Sequence, residues 1–319
     1  FGYTTAQDGR SDAGSIATAM AAAESRRLVI DVVSYPDMLQ LGDSALMNKL
    51  NFSRSYTNRF RIGGVKLTLD GSPQGKTAWL TEPYLVPPDG QKQGYRGYGA
   101  VSDAKANEQV AKAINNGWQI LVHGNGDAAI DQFIAAVRAS GPVEKARAVR
   151  PVLIHGQTLR RDQVPQLKEL GIFPSLFPMH TFYWGDWHRD SVLGNPRAQN
   201  ISPTGWVLEQ GMVFTSHHDA PVALPSSMRV LDATVNRTTR TGQVLGPEHR
   251  VSPWVALKAQ TIWSAYQHFE DDRKGSIEVG KLADLVILSD NPLTIAPHQL
   301  ASLQVLETIK EGRSVYKRQ

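Results

Sequence analysis

Apolar residues fall along this chain in short, nearly continuous runs, each followed by a stretch in which they recur every three or four positions. That alternation is the pattern of buried parallel strands joined by amphipathic helices. The strand-like runs are LVIDVVSY ending before Pro36, RIGGVKLTLD (61–70), QILVHGNGD (119–127), PVLIHGQ (151–157), IFPSLFPMH (172–180) and the stretch 211–222 containing MVFTSHHDAPV, with a shorter one over 3–8. Between them, Asp12 or Ser15 is placed to cap a helix through MAAAESRR, and Ser102 or Asp103 one whose apolar face is Ala106, Val110, Ala113 and Ile114. Asp127 is expected to cap a helix carrying Ile130, Phe133, Ile134 and Val137, and Ser252-Pro253 to begin one with Val255, Ala259, Ile262 and Tyr266 in register.

Two segments have no clear period. Residues 71–99 are rich in Gly, Pro and aromatics, and a loop of that length in a compact domain is usually functional or covers a site. HTFYWGDWHRD (180–190) mixes aromatic and charged groups and is expected to form a loop over a pocket. After Gly275 the texture changes to β-rich segments, SIEVGKLADLVILSDNP and LQVLETIKEGRSVYK, with no long helix between them. About seven strand units before residue 270 predict an α/β fold, a (β/α)8 TIM-type barrel over 1–270, with a small β unit over 271–319. An open doubly wound sheet is the other arrangement of such units, but its glycine fingerprint after a first strand is absent.

Composition narrows the chemistry. A hydrophobic content of 41% supplies a sizeable core, and 34 basic against 30 acidic side chains, spread without a basic run, give no attraction for nucleic acid or a membrane surface. The absence of cysteine excludes disulfides, thiolate metal sites and cysteine nucleophiles. No apolar run approaches the ~20 residues of a membrane helix, and the chain does not open on a basic-then-apolar signal. Cytoplasmic and exported locations both remain open.

In a βα barrel, catalytic groups stand at the carboxyl ends of the strands. His123, His155 and the group His217, His218 and Asp219 each end such a run, and Lys66 lies in the middle of another. Period-two geometry puts His217 and Asp219 on one side of an extended strand and His218 on the other. A lone histidine at a strand end is commonly structural; several on successive strands point to metal or acid-base chemistry.

These residues also carry a resemblance. GGVKLTLDGS with TAWLTEPY, LVHGNGDAAID, LIHGQ with PMHTFYWGD downstream, HHDAPV and the tail GSIEVGKLADLVILSDNP resemble the amidohydrolase superfamily, in its branch of N-substituted amide and formamide hydrolases. The resemblance implies a metal-dependent hydrolase of C–N bonds in a small amide substrate, with metal-activated water attacking the carbonyl. By position, the family's carboxylated lysine falls on Lys66, its two histidines on one metal fall on His123 and His155, and its proton-shuttling, metal-binding aspartate falls on Asp219. His217 is then expected to orient substrate or stabilise the oxyanion, and His180, Trp184 and Asp186 to contact substrate. The family's His-x-His pair on strand one has no counterpart among the nine histidines. That strand is expected before Phe1, or supplied by another segment or a homo-oligomer, which leaves one zinc site per chain where the family has two.

Two other functional readings stand beside this one. The chain can be a catalytically inactive barrel acting as a binding or regulatory module, or a metal-free carboxylate enzyme, such as a glycosidase, using Asp70 and Asp219. Asp70, Asp127 and Glu82 are otherwise expected in caps and loop structure, and His249, His268 and His298 at the surface.

Overall fold

The computed structural model describes all 319 residues. Strands β1 (Thr5–Ser11), β2 (Asp31–Pro36) and β3 (Phe60–Ile62) pair in parallel in that order. Strands β4 (Gly64–Thr68), β5 (Gln119–Gly124), β6 (Val152–His155), β7 (Phe173–Leu176) and β8 (Thr215–Ser216) form a second parallel sheet, again in chain order. A parallel bridge between Asp37 and Lys66 links the two. All-parallel pairing in chain order, with helices between the strands, is the TIM-type plan.

The expected strand 61–70 is divided between the two sheets. A Cβ on Gly63 would sit 2.5 Å from Val33 Cγ1, and one on Gly64 would sit 2.0 Å from the Gln119 carbonyl oxygen, so only glycine lets the backbone cross here. The last barrel strand is also shorter than the apolar run 211–222, since only Thr215 and Ser216 hold regular pairing with β7.

Alternation along the strands separates two cores. Ile120, Val122 and Leu153 pack outward against the helices with Val65 and Leu67. Leu121, Val152, Ile154 and Phe173 face inward with Val33 and Tyr35. Lys66 is level with Leu121 and Thr68 with His123, so Lys66 and His123 fall on the inward side of their strands.

The helix caps follow the sequence in two places. Asp12 accepts from Ser15 N at the start of Ala13–Glu24, and Ser102 from Lys105 N at the start of Asp103–Asn115. Helix Asp127–Ala139, in contrast, is preceded by Gly126, and Asp127 does not cap it. Its carboxylate accepts from Thr81 N (2.9 Å) and from Arg160 (3.1 Å), tying the 71–99 segment to the helix start. The helix begun by Ser252-Pro253 is two, Pro253–Gln260 and Ile262–Gln267, because the backbone leaves helical space at Thr261.

The largest correction concerns 180–190, which is helical: Met179–Trp187 forms an α-helix and His188–Val192 a π-turn. Met179, His180, Thr181, Gly185 and His188 are all buried, and a helix enclosed on several sides has no apolar stripe to reveal it. His249 and His268 are also buried rather than at the surface. His249 meets Trp206 edge-on, and His268 Nδ1 lies 3.2 Å from the Tyr35 hydroxyl, so each ring is absorbed by packing or a hydrogen bond. His298 is exposed.

Strands β9 (Leu285–Leu288), β10 (Val305–Lys310) and β11 (Arg313–Lys317) form an antiparallel sheet with β10 central. It is keyed to β2 by charge: buried Lys310 Nζ lies 2.7 Å from both Asp31 and Asp284, and Lys274 Nζ lies 2.7 Å from Asp31. No helix is long and apolar enough to cross a membrane.

This buried network sets a stability prediction. Burial opposes ionisation of Asp31, but the bonds from Lys274 and Lys310 outweigh it and hold the carboxyl below its ordinary value. A lowered folded-state pKa contributes stability that is present above the unfolded value of about 4 and is lost as pH falls through the folded value. Asp31→Asn, which leaves two buried ammonium groups short of an anion, should cost about 3 kcal/mol at pH 7 in urea unfolding. The gap from wild type should narrow below about pH 4; a gap independent of pH would refute the assignment.

Candidate metal and hydrolytic site

The inward histidine of β5 is held by the loop that follows β4. Asp70, buried, accepts hydrogen bonds from three backbone amides: Trp79 (2.9 Å), Asn125 (3.0 Å) and Gly126 (2.7 Å). This closes the turn after β5 onto the start of the 71–99 segment and brings Gly71 O to 2.9 Å from His123 Nε2. Nε2 therefore faces a carbonyl, which can only accept, and at 3.1 Å the Asn125 amide nitrogen, while the other ring nitrogen is Nδ1. That nitrogen faces His155 Nε2 at 3.0 Å. A histidine whose distal N–H is tied to a backbone carbonyl is prepared as a metal ligand.

His155 reaches the site by a different route. Strand alternation would turn its side chain outward, because Val152 and Ile154 face inward. Its backbone is left-handed, with φ of 76°, and this turn brings the ring back beside His123. Asp219 is also left-handed, at φ 55°. Such conformations in non-glycine residues cost of order 1–3 kcal/mol and cluster at functional sites.

Ligand atoms of His155, His217 and Asp219 all lie within 4.8 Å of one another. His155 Nδ1 and His217 Nε2 are enclosed without any hydrogen-bond partner. Burial, reinforced by His123, His217 and Lys66, drives the His155 pKa well below the usual histidine value, and burial pushes His217 down to about 3. Both imidazoles are therefore neutral at pH 7, the form that binds metals. Asp219 is shifted the other way: burial raises its pKa, with Lys66 and His123 opposing. Burial lowers the Lys66 ammonium to about 8, against the pull of Asp219.

The structure thus gathers His155, His217 and Asp219 round one point, with His123 beside His155 and Lys66 electrostatically coupled to Asp219. His217, expected beside the substrate, stands within the donor cluster. His218 is outside it: its Nδ1 accepts from Ala220 N, and its ring packs against Tyr3. His180 is buried and packs on Phe177 and Trp184, while Phe177 stacks on His217 at 4.7 Å. Asp186 accepts from Thr241 Oγ1 (2.7 Å) and pairs with Arg189 (3.3 Å). Asp70 is engaged by three backbone amides and also lies 3.4 Å from His123 Nε2. Asn125 and Phe177 carry no signal of a role in the sequence pattern. Asn125 donates to Gly71 O (2.8 Å) and follows His123 by two positions, a proximity the GNGD turn already contained.

The profile of the amidohydrolase family matches residues 1–316. The chain is 27% identical over 261 residues to amidohydrolase YtcJ of Bacillus subtilis, covering 81% of this chain and 47% of that protein. It is 27% identical over 281 residues to the N-substituted formamide deformylase of Arthrobacter pascens, covering 88% and 50%. It therefore spans about half the length of the curated relatives it matches. Among solved structures, an uncharacterized metal-dependent hydrolase from Pyrococcus furiosus superposes with a TM-score of 0.74 at 25% identity, over 91% of this chain and 56% of that one.

The assignment of Asp70 is testable. Asp70→Asn turns one acceptor oxygen into a donor facing a buried amide, and should lower stability by about 2–3 kcal/mol. Hydrogen exchange should speed up at Trp79, Asn125 and Gly126 relative to β1 and β2. Unchanged stability and exchange would show that Asp70 does not tie these segments together.

Proposed function

The chain belongs to the amidohydrolase family, and from that premise we propose that it hydrolyses the C–N bond of a small amide, with N-substituted formamides as the nearest substrate class. Membership of the family and the kinship with metal-dependent hydrolases support a metal-dependent hydrolase. The similarity to a formamide deformylase supports the narrower substrate. The observation that carries the reading is the convergence of His155, His217 and Asp219 within 4.8 Å, with two enclosed imidazole nitrogens unpartnered.

These donors fit a divalent metal. Neutral imidazoles and a carboxylate suit zinc in an open catalytic arrangement, and His123 Nδ1 stands next to this set, 3.0 Å from His155 Nε2. When bound, such an ion would polarise the substrate carbonyl and lower the pKa of water toward ~7.

The protein's own groups account for proton movement and positioning. Asp219, whose carboxylate oxygens have no hydrogen bond from the protein and whose pKa is raised by burial, takes a proton from water as the water oxygen adds to the carbonyl carbon. It returns that proton to the nitrogen as the C–N bond breaks, giving a carboxylic acid and an amine. Lys66, lowered to about 8, is neutral in about a tenth of molecules at pH 7, and a neutral amine is the form that adds CO2 to become a carbamate with loss of a proton. As a carbamate it is an anionic donor beside Asp219.

Three measurements test this reading. Metal analysis of gently prepared protein should find about one divalent ion per chain, held more than tenfold less tightly in His217→Ala or His123→Ala. N-substituted formamides or N-acyl amines should be turned over, with kcat reduced at least a hundredfold in Asp219→Asn. Protein that binds no metal and turns over none of these amides would be a binding or regulatory module instead. Labelled bicarbonate should give a carbamate 13C resonance that is missing in Lys66→Arg; its absence from wild type would limit Lys66 to an electrostatic role.

A further inference from the structure

Behind the donor cluster lies a second pair of histidines that the hydrolytic scheme does not use. His180 Nδ1 and His188 Nε2 are 3.0 Å apart, with ring planes 12° from parallel and centroids 5.2 Å apart, the geometry of an in-plane N–H···N bond. Both residues are buried, His188 completely. The backbone turns from α to π at His188, the residue that supplies the second ring. Such π-turns recur at functional sites.

The direction of this bond follows from what lies at the far ends of the rings. His188 Nδ1 is enclosed and has no partner. If His180 donated, neutral His188 would carry its proton on that enclosed nitrogen, leaving an orphaned N–H. If His188 donates through Nε2, the enclosed Nδ1 is only an unused lone pair, which costs less. Protonation of either ring is opposed by burial. His188 therefore donates, His180 Nδ1 accepts, and the proton of His180 is on Nε2.

That Nε2 has no hydrogen bond to the protein, yet it is not among the enclosed unpaired atoms, so it borders open space. Phe177 is the shared wall: its ring is 4.6 Å from His180 and 4.7 Å from His217. The donor thus opens beside the metal-capable cluster, in a low-dielectric setting where a preset N–H is most effective toward developing negative charge.

We propose that His180 Nε2–H is a hydrogen-bond donor to the carbonyl oxygen of the substrate, strengthening as that oxygen becomes negative, and that His188 is the positioning residue that fixes the tautomer. The catalytic part rests on the hydrolase reading; the tautomer assignment does not.

Long-range 1H–15N correlation on histidine-labelled protein tests the assignment, with the His180 signals identified by their loss in His180→Gln. His180 should show the Nε2–H pattern in wild type and a mixture of tautomers in His188→Phe, while His188→Gln, whose amide can still donate, should restore the wild-type pattern. With an N-substituted formamide as substrate, His180→Phe should lose about a hundredfold in kcat at unchanged metal content, His180→Gln should keep most of it, and His188→Phe should lose about tenfold in kcat with little change in KM. An Nδ1–H pattern for His180 in wild type, or a metal-loaded His180→Phe enzyme with wild-type kcat, overturns the proposal. If no amide is turned over, the hydrolase reading and the catalytic role fall together, and the tautomer pattern alone decides the part played by His188.

Discussion

The site depends first on a buried carboxylate that ties its loops together. Asp70 collects the amides of Trp79, Asn125 and Gly126, and so fastens the segment after β4 to the turn after β5. Three backbone donors on one buried anion are strong, charge-assisted bonds, and none has another partner if the carboxylate is lost. The same closure delivers Gly71 O to His123 Nε2, so the anion holds the His123 ring in place. A loop without regular secondary structure can therefore hold a ligand as firmly as a strand does.

Burial gives the rest of the cluster its character. Removing imidazoles from water disfavours their charged form, so His155 and His217 remain neutral although they are crowded together. The same desolvation raises Asp219 and lowers Lys66, moving an acid and a base toward each other in proton affinity. Nothing in this requires a finely arranged set of partners. It requires a dry pocket, which the inward faces of the parallel strands and the Phe177 wall provide.

Much of this was legible in the sequence because it depends on short-range pattern. Apolar runs ending in His123 and His155 marked strand ends, and both histidines are found there; the resemblance of the surrounding motifs agrees with the family match. What depends on backbone handedness or enclosure was not legible. The crossing at Gly63 and Gly64 looked like one strand, because only the approach of Val33 and Gln119 shows why it must break. The helix after β7 looked like a loop, because its residues are buried on too many sides to leave a stripe. His217 was expected to orient substrate or stabilise the oxyanion, and its nearness to His155 and Asp219 was not legible, because period two alone does not fix the distance between side chains across the barrel. The bond that Asp186 accepts from Thr241, 55 residues away, has no local signature either.

The left-handed backbone at His155 has a consequence for which amino acids the position can hold. Alanine there would lose the imidazole while keeping the left-handed backbone that the histidine already bears, so the strain would stay without the group it serves. Glycine, or asparagine among the larger residues, accepts the same handedness while removing the ring. The identity of residue 155 is thus constrained twice, once by the donor and once by the chain path, and a lineage that abandoned the chemistry would still be held to a few residue types there.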